Sequence, residues 1–217
     1  MRTKTLLLTA ALSAAGVATS MAQVFSVNAV GYVTTTVPKG KFALISNPLT
    51  AANNTIGALF AGAPAGTQIF KFDNTKGSFT TATYDDLDNA FVPAAAAALT
   101  VVPGEGVFVK APAAADVTVT FVGEVPQGNL SNPLPKGLSI RSSMVPQAGD
   151  AKALGLKGEA GDQVFQFSVT DQKYLTSTFD DLDNDWSPKL AALKVGEAFF
   201  LSKQKAGTWD RAFNVNQ

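Results

Sequence analysis

The chain has 217 residues, of which 46% are apolar and 16% charged, with 17 basic against 17 acidic side chains and neither histidine nor cysteine. This composition suits a packed core and argues against disorder. It excludes Ser-His-Asp and Cys-His catalysis, the standard zinc sites and dithiol redox chemistry, and the absence of any long run of one charge removes the footprint of a nucleic-acid binder.

The chain opens on Arg2 and Lys4, followed by an apolar run over 6–14 that is too short to span a membrane. Ser20 and Ala22 then supply small residues before Gln23. This reads as a secretory signal peptide over residues 1–22. Its removal takes away Arg2 and Lys4, so 17 basic residues become 15 against 17 acidic, a net of −2. No later stretch has the length of a transmembrane helix, and the cleavage site has no cysteine for a lipid anchor. The expectation is a soluble protein of the periplasm or the extracellular space.

Residues 24–37 read as strand, rich in alternating and β-branched residues. Pro38-Lys39-Gly40 is a turn, and 42–46 is a buried strand stopped by Asn47-Pro48. A short helix is expected over 55–60. Strand 67–72 places Phe70 and Phe72 on one face, turn chemistry over 73–77 follows, and 79–84 returns as a hairpin. An alanine-rich loop leads to Pro103-Gly104-Glu105-Gly106, then strands at 107–110 and 117–122.

The same order then repeats. Tyr84-Asp85-Asp86-Leu87-Asp88-Asn89 returns as Phe179-Asp180-Asp181-Leu182-Asp183-Asn184, 95 positions later. Gly66 to Phe72 is answered by Gly161 to Phe167, Phe79 to Tyr84 by Tyr174 to Phe179, Phe91 by Trp186, and Gly104-Glu105-Gly106 by Gly196-Glu197-Ala198. The chain is a tandem duplication, with copy one over 23–124 and copy two over 125–217. The expected fold is mostly β: two small barrels or sandwiches, each with one short helix. The likeness of Gly31-Tyr32-Val33 to Gly123-Glu124-Val125 predicts that 117–125 closes copy one and opens copy two as a connector strand, with the copies packed rigidly.

The turn and strand Pro38-Lys39-Gly40…Leu44-Ile45-Ser46-Asn47-Pro48, the later Phe70-Lys71-Phe72-Asp73 and the glycine-rich turn into Val107-Phe108-Val109 resemble a β module of uncharacterised exported bacterial tandem proteins. The resemblance covers nearly all of the chain after the signal peptide. It implies the fold and export, and carries no assigned activity or functional residues.

The twin acidic stretches are the best candidates for chemistry. Asp181, Asp183 and Asp185 have the spacing that opens a helix-flanked calcium loop, and Asp86 and Asp88 repeat it in part. Trp186 and Ala192 stand where that loop needs glycine and glutamate, so a full EF-hand is excluded. A simpler calcium site and a plain Asx-type turn remain as alternatives. Asp180 and Asp181 are adjacent and point to opposite faces of a strand, a poor start for a glycosidase pair. Gly104-Glu105-Gly106 leads into a strand, so it is a tight turn and not a phosphate loop. Among the aromatics, which are core by default, Tyr174 and Trp186 are the choice for a binding face. Glu105 and Glu197 are expected to satisfy backbone donors at their turns. These readings favour a non-enzymatic structural or adhesive envelope protein, acting through β surfaces on itself or on other envelope components and needing no cofactor beyond the candidate calcium. A carbohydrate-binding module that takes polysaccharide is the alternative, and an aspartate-based hydrolase the third reading.

Overall fold

The computed structural model describes residues 29–215. The signal-peptide reading and the start of the first strand lie outside the described residues. Copy one contains β1 (Val30–Val37), β2 (Phe42–Ile45), α1 (Ile56–Leu59), β3 (Gln68–Asp73), β4 (Ser78–Asp85), β5 (Ala90–Val92), α2 (Ala94–Ala97), β6 (Val107–Lys110) and β7 (Val117–Glu124). Copy two contains β8 (Gly128–Leu134), β9 (Gly137–Ser142), β10 (Gln163–Ser168), β11 (Lys173–Asp180), β12 (Asp185–Ser187), β13 (Ala198–Lys203) and β14 (Gly207–Phe213).

The two copies have the same antiparallel topology, strand for strand. Five strands run in the order β2-β6-β3-β4-β5 in one and β9-β13-β10-β11-β12 in the other, each facing a two-stranded ribbon, β1–β7 or β8–β14. The architecture is sandwich-like, and the described residues form no closed barrel. Alternation decides what fills it. Val33 and Val37 from β1 and Val117, Val119 and Phe121 from β7 point inward onto Ile45, Ile69, Val107 and Val109. Their neighbours Thr34 and Thr36 point outward, where their hydroxyls pair with Thr120 and Thr118 at 2.9 and 3.0 Å. In copy two, Leu134 and Trp209 of the ribbon meet Val164, Phe199 and Leu201 of the sheet.

Two details differ from the sequence reading. Among the described residues both short helices lie in copy one, where Thr55 caps α1 by accepting from Ala58 N. The corresponding stretch of copy two, 151–155, is a turn that ends at Gly155, in the left-handed region at φ +83°. The expected connector strand is divided as well. β7 ends at Glu124 on its partner β1, and β8 starts afresh at Gly128 on its partner β14. Pro126 has no N–H to continue a ladder, and Gly128 at φ +88° redirects the chain.

The copies pack with the outer faces of their five-stranded sheets together. Leu44, Ile140, Ala198 and Phe200 are buried there, with Phe72, Phe108, Phe165 and Phe167 against them. The contacts are reciprocal. Ser46 N–H donates to Gly196 O at 2.8 Å, and its counterpart Ser142 N–H donates to Gly104 O at 3.0 Å. The Ser46 hydroxyl donates to Glu197 O and the Ser142 hydroxyl to Glu105 O. Phe72 meets Phe200 edge-on at 5.7 Å, and Phe167 meets Phe108 edge-on at 4.9 Å. When i touches j and the equivalent of j touches the equivalent of i, the two units are related by a twofold. The duplicated chain therefore carries the interface of a homodimer within one molecule.

One contact cannot be symmetric. A Cβ on Gly106 would lie 2.4 Å from the Ala198 Cβ and 2.7 Å from Ile140 Cγ2, and Gly106 and Ala198 are counterparts. The seam holds one methyl group and not two. We expect Gly106→Ala to destabilise the protein by about 1–3 kcal/mol, and Ala198→Gly added to it to recover most of that loss. Urea unfolding of both variants checks this; equal stabilities of the single and double variants would show that the two sites do not meet.

Candidate functional site

The acidic repeats are the tips of the β4–β5 and β11–β12 hairpins, whose last pairs are Asp85 with Ala90 and Asp180 with Asp185. Asp85 Oδ1 accepts from Leu87 N at 2.8 Å, and Asp180 Oδ1 accepts from Leu182 N at 2.9 Å. These are Asx turns. Asn89 and Asn184 close them at φ +50° and +49°, a left-handed conformation that asparagine tolerates, and the Tyr84 hydroxyl donates to Asn89 Oδ1. Asp86, Asp88, Asp181 and Asp183 are exposed; Asp185 is half-buried and accepts from Trp186 N. No group of three or more potential metal ligands converges among the described residues. The tips instead display Leu87 and Leu182, which are 92% and 91% exposed.

The two aromatic candidates separate. Trp186 is 5% exposed and packs edge-on to Phe179 at 5.3 Å inside copy two. Its inward direction comes from β12, where it pairs with Phe179 across the ladder. This corrects the expectation of a binding face there: Trp186 is core. Tyr174 is 46% exposed and lies on the outer face, edge-on to Phe167 at 5.1 Å and 6.0 Å from Phe200. Partial burial pushes its phenol pKa up. Its counterpart Phe79, 44% exposed, reaches the same Phe200 ring at 6.2 Å from the other copy. An aromatic surface thus spans the seam, and from Phe79 on through Phe70, Phe42 and Phe108 to Phe167 the rings form a closed circuit.

Beside this seam lies a cleft of about 450 Å³, between Thr35 and Leu44 of copy one and Phe167, Leu175, Lys194 and Glu197 of copy two. Desolvation pushes the Glu197 carboxyl pKa up, partly opposed by the bond that its Oε2 accepts from Lys194 N. Glu105 makes the matching bond from Val102 N and also pairs with Lys71 at 2.7 Å. Both glutamates satisfy backbone donors at their turns. The cleft wall is braced by Gln166, whose amide holds Ala191 through both its N–H and its C=O.

The buried polar groups serve the fold. Asp162, fully buried, pairs with Lys203 and also accepts from Glu159 N and Gln204 N. Asn132 donates to Gly104 O across the seam and to Ser142 O within copy two. Phe79 and Gln172, the second of which bridges to Phe42 from the β10–β11 turn, were not singled out by sequence. A glutamine at φ +56° leaves no composition signal, and the only hint is that its counterpart is Gly77. No family model, no curated protein and no solved structure matches the chain.

Two outcomes follow for stability. Trp186→Ala removes a core ring and is expected to cost about 3–5 kcal/mol, seen as a large drop in the urea midpoint; a midpoint near wild type would put Trp186 back on a binding face. Asp85→Ala and Asp180→Ala are each expected to cost roughly 1–2 kcal/mol through the lost turn bonds, whereas Asp181→Ala stays within about 0.5 kcal/mol. Equal losses at Asp180 and Asp181, measured the same way, would contradict the turn assignment.

Proposed function

We propose that this chain is an exported, non-enzymatic structural or adhesive protein that acts through its β surfaces. The observation that carries this reading is the division of labour among its side chains. The buried carboxylate, lysine and amides are committed to fold contacts, while large apolar side chains stand exposed. On the β1–β7 ribbon, Val30, Tyr32 and Val122 are 69%, 79% and 58% exposed, and Tyr32 lies directly opposite Val122. Phe79 and Tyr174 mark the seam, and Leu87 and Leu182 the twin tips. Exposed apolar clusters of this kind mark contact surfaces. The seven-strand pattern that each copy repeats supplies a stiff frame for them. Among the described residues no helix is long and apolar enough to cross a membrane.

A second reading, binding of a polysaccharide, is favoured by the pairing of Tyr174 and Phe79 on either side of Phe200. Rings presented by both copies make a platform for the apolar face of a sugar.

Sedimentation velocity over a wide concentration range tests the first reading: self-association is expected, weakened about tenfold or more by Tyr32→Asp. Retention on a polysaccharide panel tests the second. Phe79→Ala with Tyr174→Ala should lower it about tenfold at an unchanged unfolding midpoint, and a chelator should leave it unchanged because the carboxylates do not converge. A monomer at every concentration that no polysaccharide retains overturns both.

A further inference from the structure

The internal twofold makes visible one place where the copies differ and main-chain groups are left open. At the two ends of β2, Ser46 N–H turns away from β6 to Gly196 O, while Ala111 N donates to Lys41 O. In an antiparallel ladder outward residues alternate with paired ones, so the N–H and C=O of Phe42 also point away from β6. Gln172 answers both. Its Oε1 accepts from Phe42 N at 2.9 Å and its Nε2 donates to Phe42 O at 3.0 Å. A second bond from Nε2 to Val169 O holds the amide in place.

On β9 the same alternation applies, because Ser142 N–H turns outward to Gly104 O. The N–H and C=O of Leu138, the counterpart of Phe42, therefore point away from β13. Here the residue equivalent to Gln172 is Gly77, at φ +64°, and nothing stands within 4 Å of the place its Cβ would take. β3 lies against β9 as β10 lies against β2, so the turn after β3 flanks Leu138 without a side chain to reach it. Leu138 is 38% exposed, and among the described residues neither of its main-chain groups is bonded to a residue outside the β9–β13 ladder.

We propose that the Leu138 edge of β9, beside the Gly77 turn, is a receptor for a pendant amide, which takes the place that the Gln172 carboxamide fills on β2. The ligand C=O accepts from Leu138 N–H while its N–H donates to Leu138 C=O. The site takes one amide and not a strand. Strand addition needs successive outward residues, but the next one, Ile140, is 6% exposed and the one after it is taken by Gly104. A primary carboxamide fits this opening, because its C=O and the N–H syn to it point the same way, whereas those of a trans secondary amide point apart; the ligand is the side-chain amide of an asparagine or glutamine. The inference rests on the reading of the chain as a binding protein.

The test is a titration of the ¹⁵N-labelled protein, following the backbone amides of Leu138 and Phe42. The peptides Gly-Gln-Gly and Gly-Asn-Gly are the probes; triglycine and tri-N-acetylchitotriose, which carry only trans secondary amides, are the controls. The expected result is a saturable shift at Leu138 with one or both probes and with neither control, and the probe that works identifies the source of the amide. Gly77→Gln rebuilds the internal cap, so it should weaken binding at least about tenfold and slow hydrogen exchange at Leu138. Gln172→Gly should open a matching site at Phe42. Gly77→Asn, equally able to adopt the left-handed backbone but too short to reach, should bind as wild type. The proposal is overturned if no probe moves Leu138, if triglycine moves it equally, if the Leu138 amide of the wild type exchanges as slowly as that of Phe42, or if Gly77→Gln binds unchanged. Such a result beside intact self-association or polysaccharide retention removes this site alone; a monomer without retention removes the broader reading instead.

Discussion

Two hydrogen bonds, from Ser46 N–H to Gly196 O and from Ser142 N–H to Gly104 O, set the frame for the rest of the molecule. Each answers the same problem. β2 and β9 are edge strands, and an edge presents main-chain groups that must be satisfied or hidden. Each copy settles its edge with the glycine turn of the other. That turn must come close. Gly104 and Gly196 sit at φ +95° and +77°, and a side chain on either would strike Asn132 or Thr35. Once the edges are joined in this way, the outer faces of the two sheets are brought together. The phenylalanines that alternate with core residues on β3, β6, β10 and β13 then have to be apolar, because they face another sheet and not water.

Divergence between the copies is concentrated where the fold can absorb it. Thr67 and Ala111 of copy one are replaced by the buried pair Asp162 and Lys203 in copy two. Such a pair carries a desolvation cost that only close geometry and further hydrogen bonds offset, and the backbone donors of Glu159 and Gln204 provide them. In the reverse direction, Lys71, which forms an ion pair with Glu105 in copy one, becomes Gln166, which braces a loop in copy two. Position by position, polar groups have been exchanged without disturbing the register of the ladders.

Most of the secondary structure was legible because its signals are local. Turn residues, β-branched runs and the 95-residue repeat locate the hairpins, and Gly104-Glu105-Gly106 was readable as a turn. The role of that turn at the seam was not, since it depends on Ser142 and Ala198, far along the chain in the other copy. Alternation put Phe70 and Phe72 on one face, but both faces of these sheets are covered, so the pattern does not say which one is the core. The same ambiguity misplaced Trp186, whose immediate neighbours are the half-buried Asp185 and the exposed Ser187. Leu138 carries no signal at all. Its open main-chain groups follow from ladder parity and from the missing side chain at Gly77, and both need the fold.

The stretch between β7 and β8 is only three residues, 125–127. A tether so short turns the pairing of the copies into an intramolecular event, at an effective concentration on the order of millimolar. Two separate chains meeting through this seam would have to supply the whole association free energy from the contacts themselves. The tethered pair does not, so the seam is released from the demand for high intrinsic affinity. It is also released from symmetry, since a change at one site is no longer copied automatically at the other. A methyl group on one side only, at Ala198, and an amide on one side only, at Gln172, are substitutions that a dimer of identical chains has no means to make.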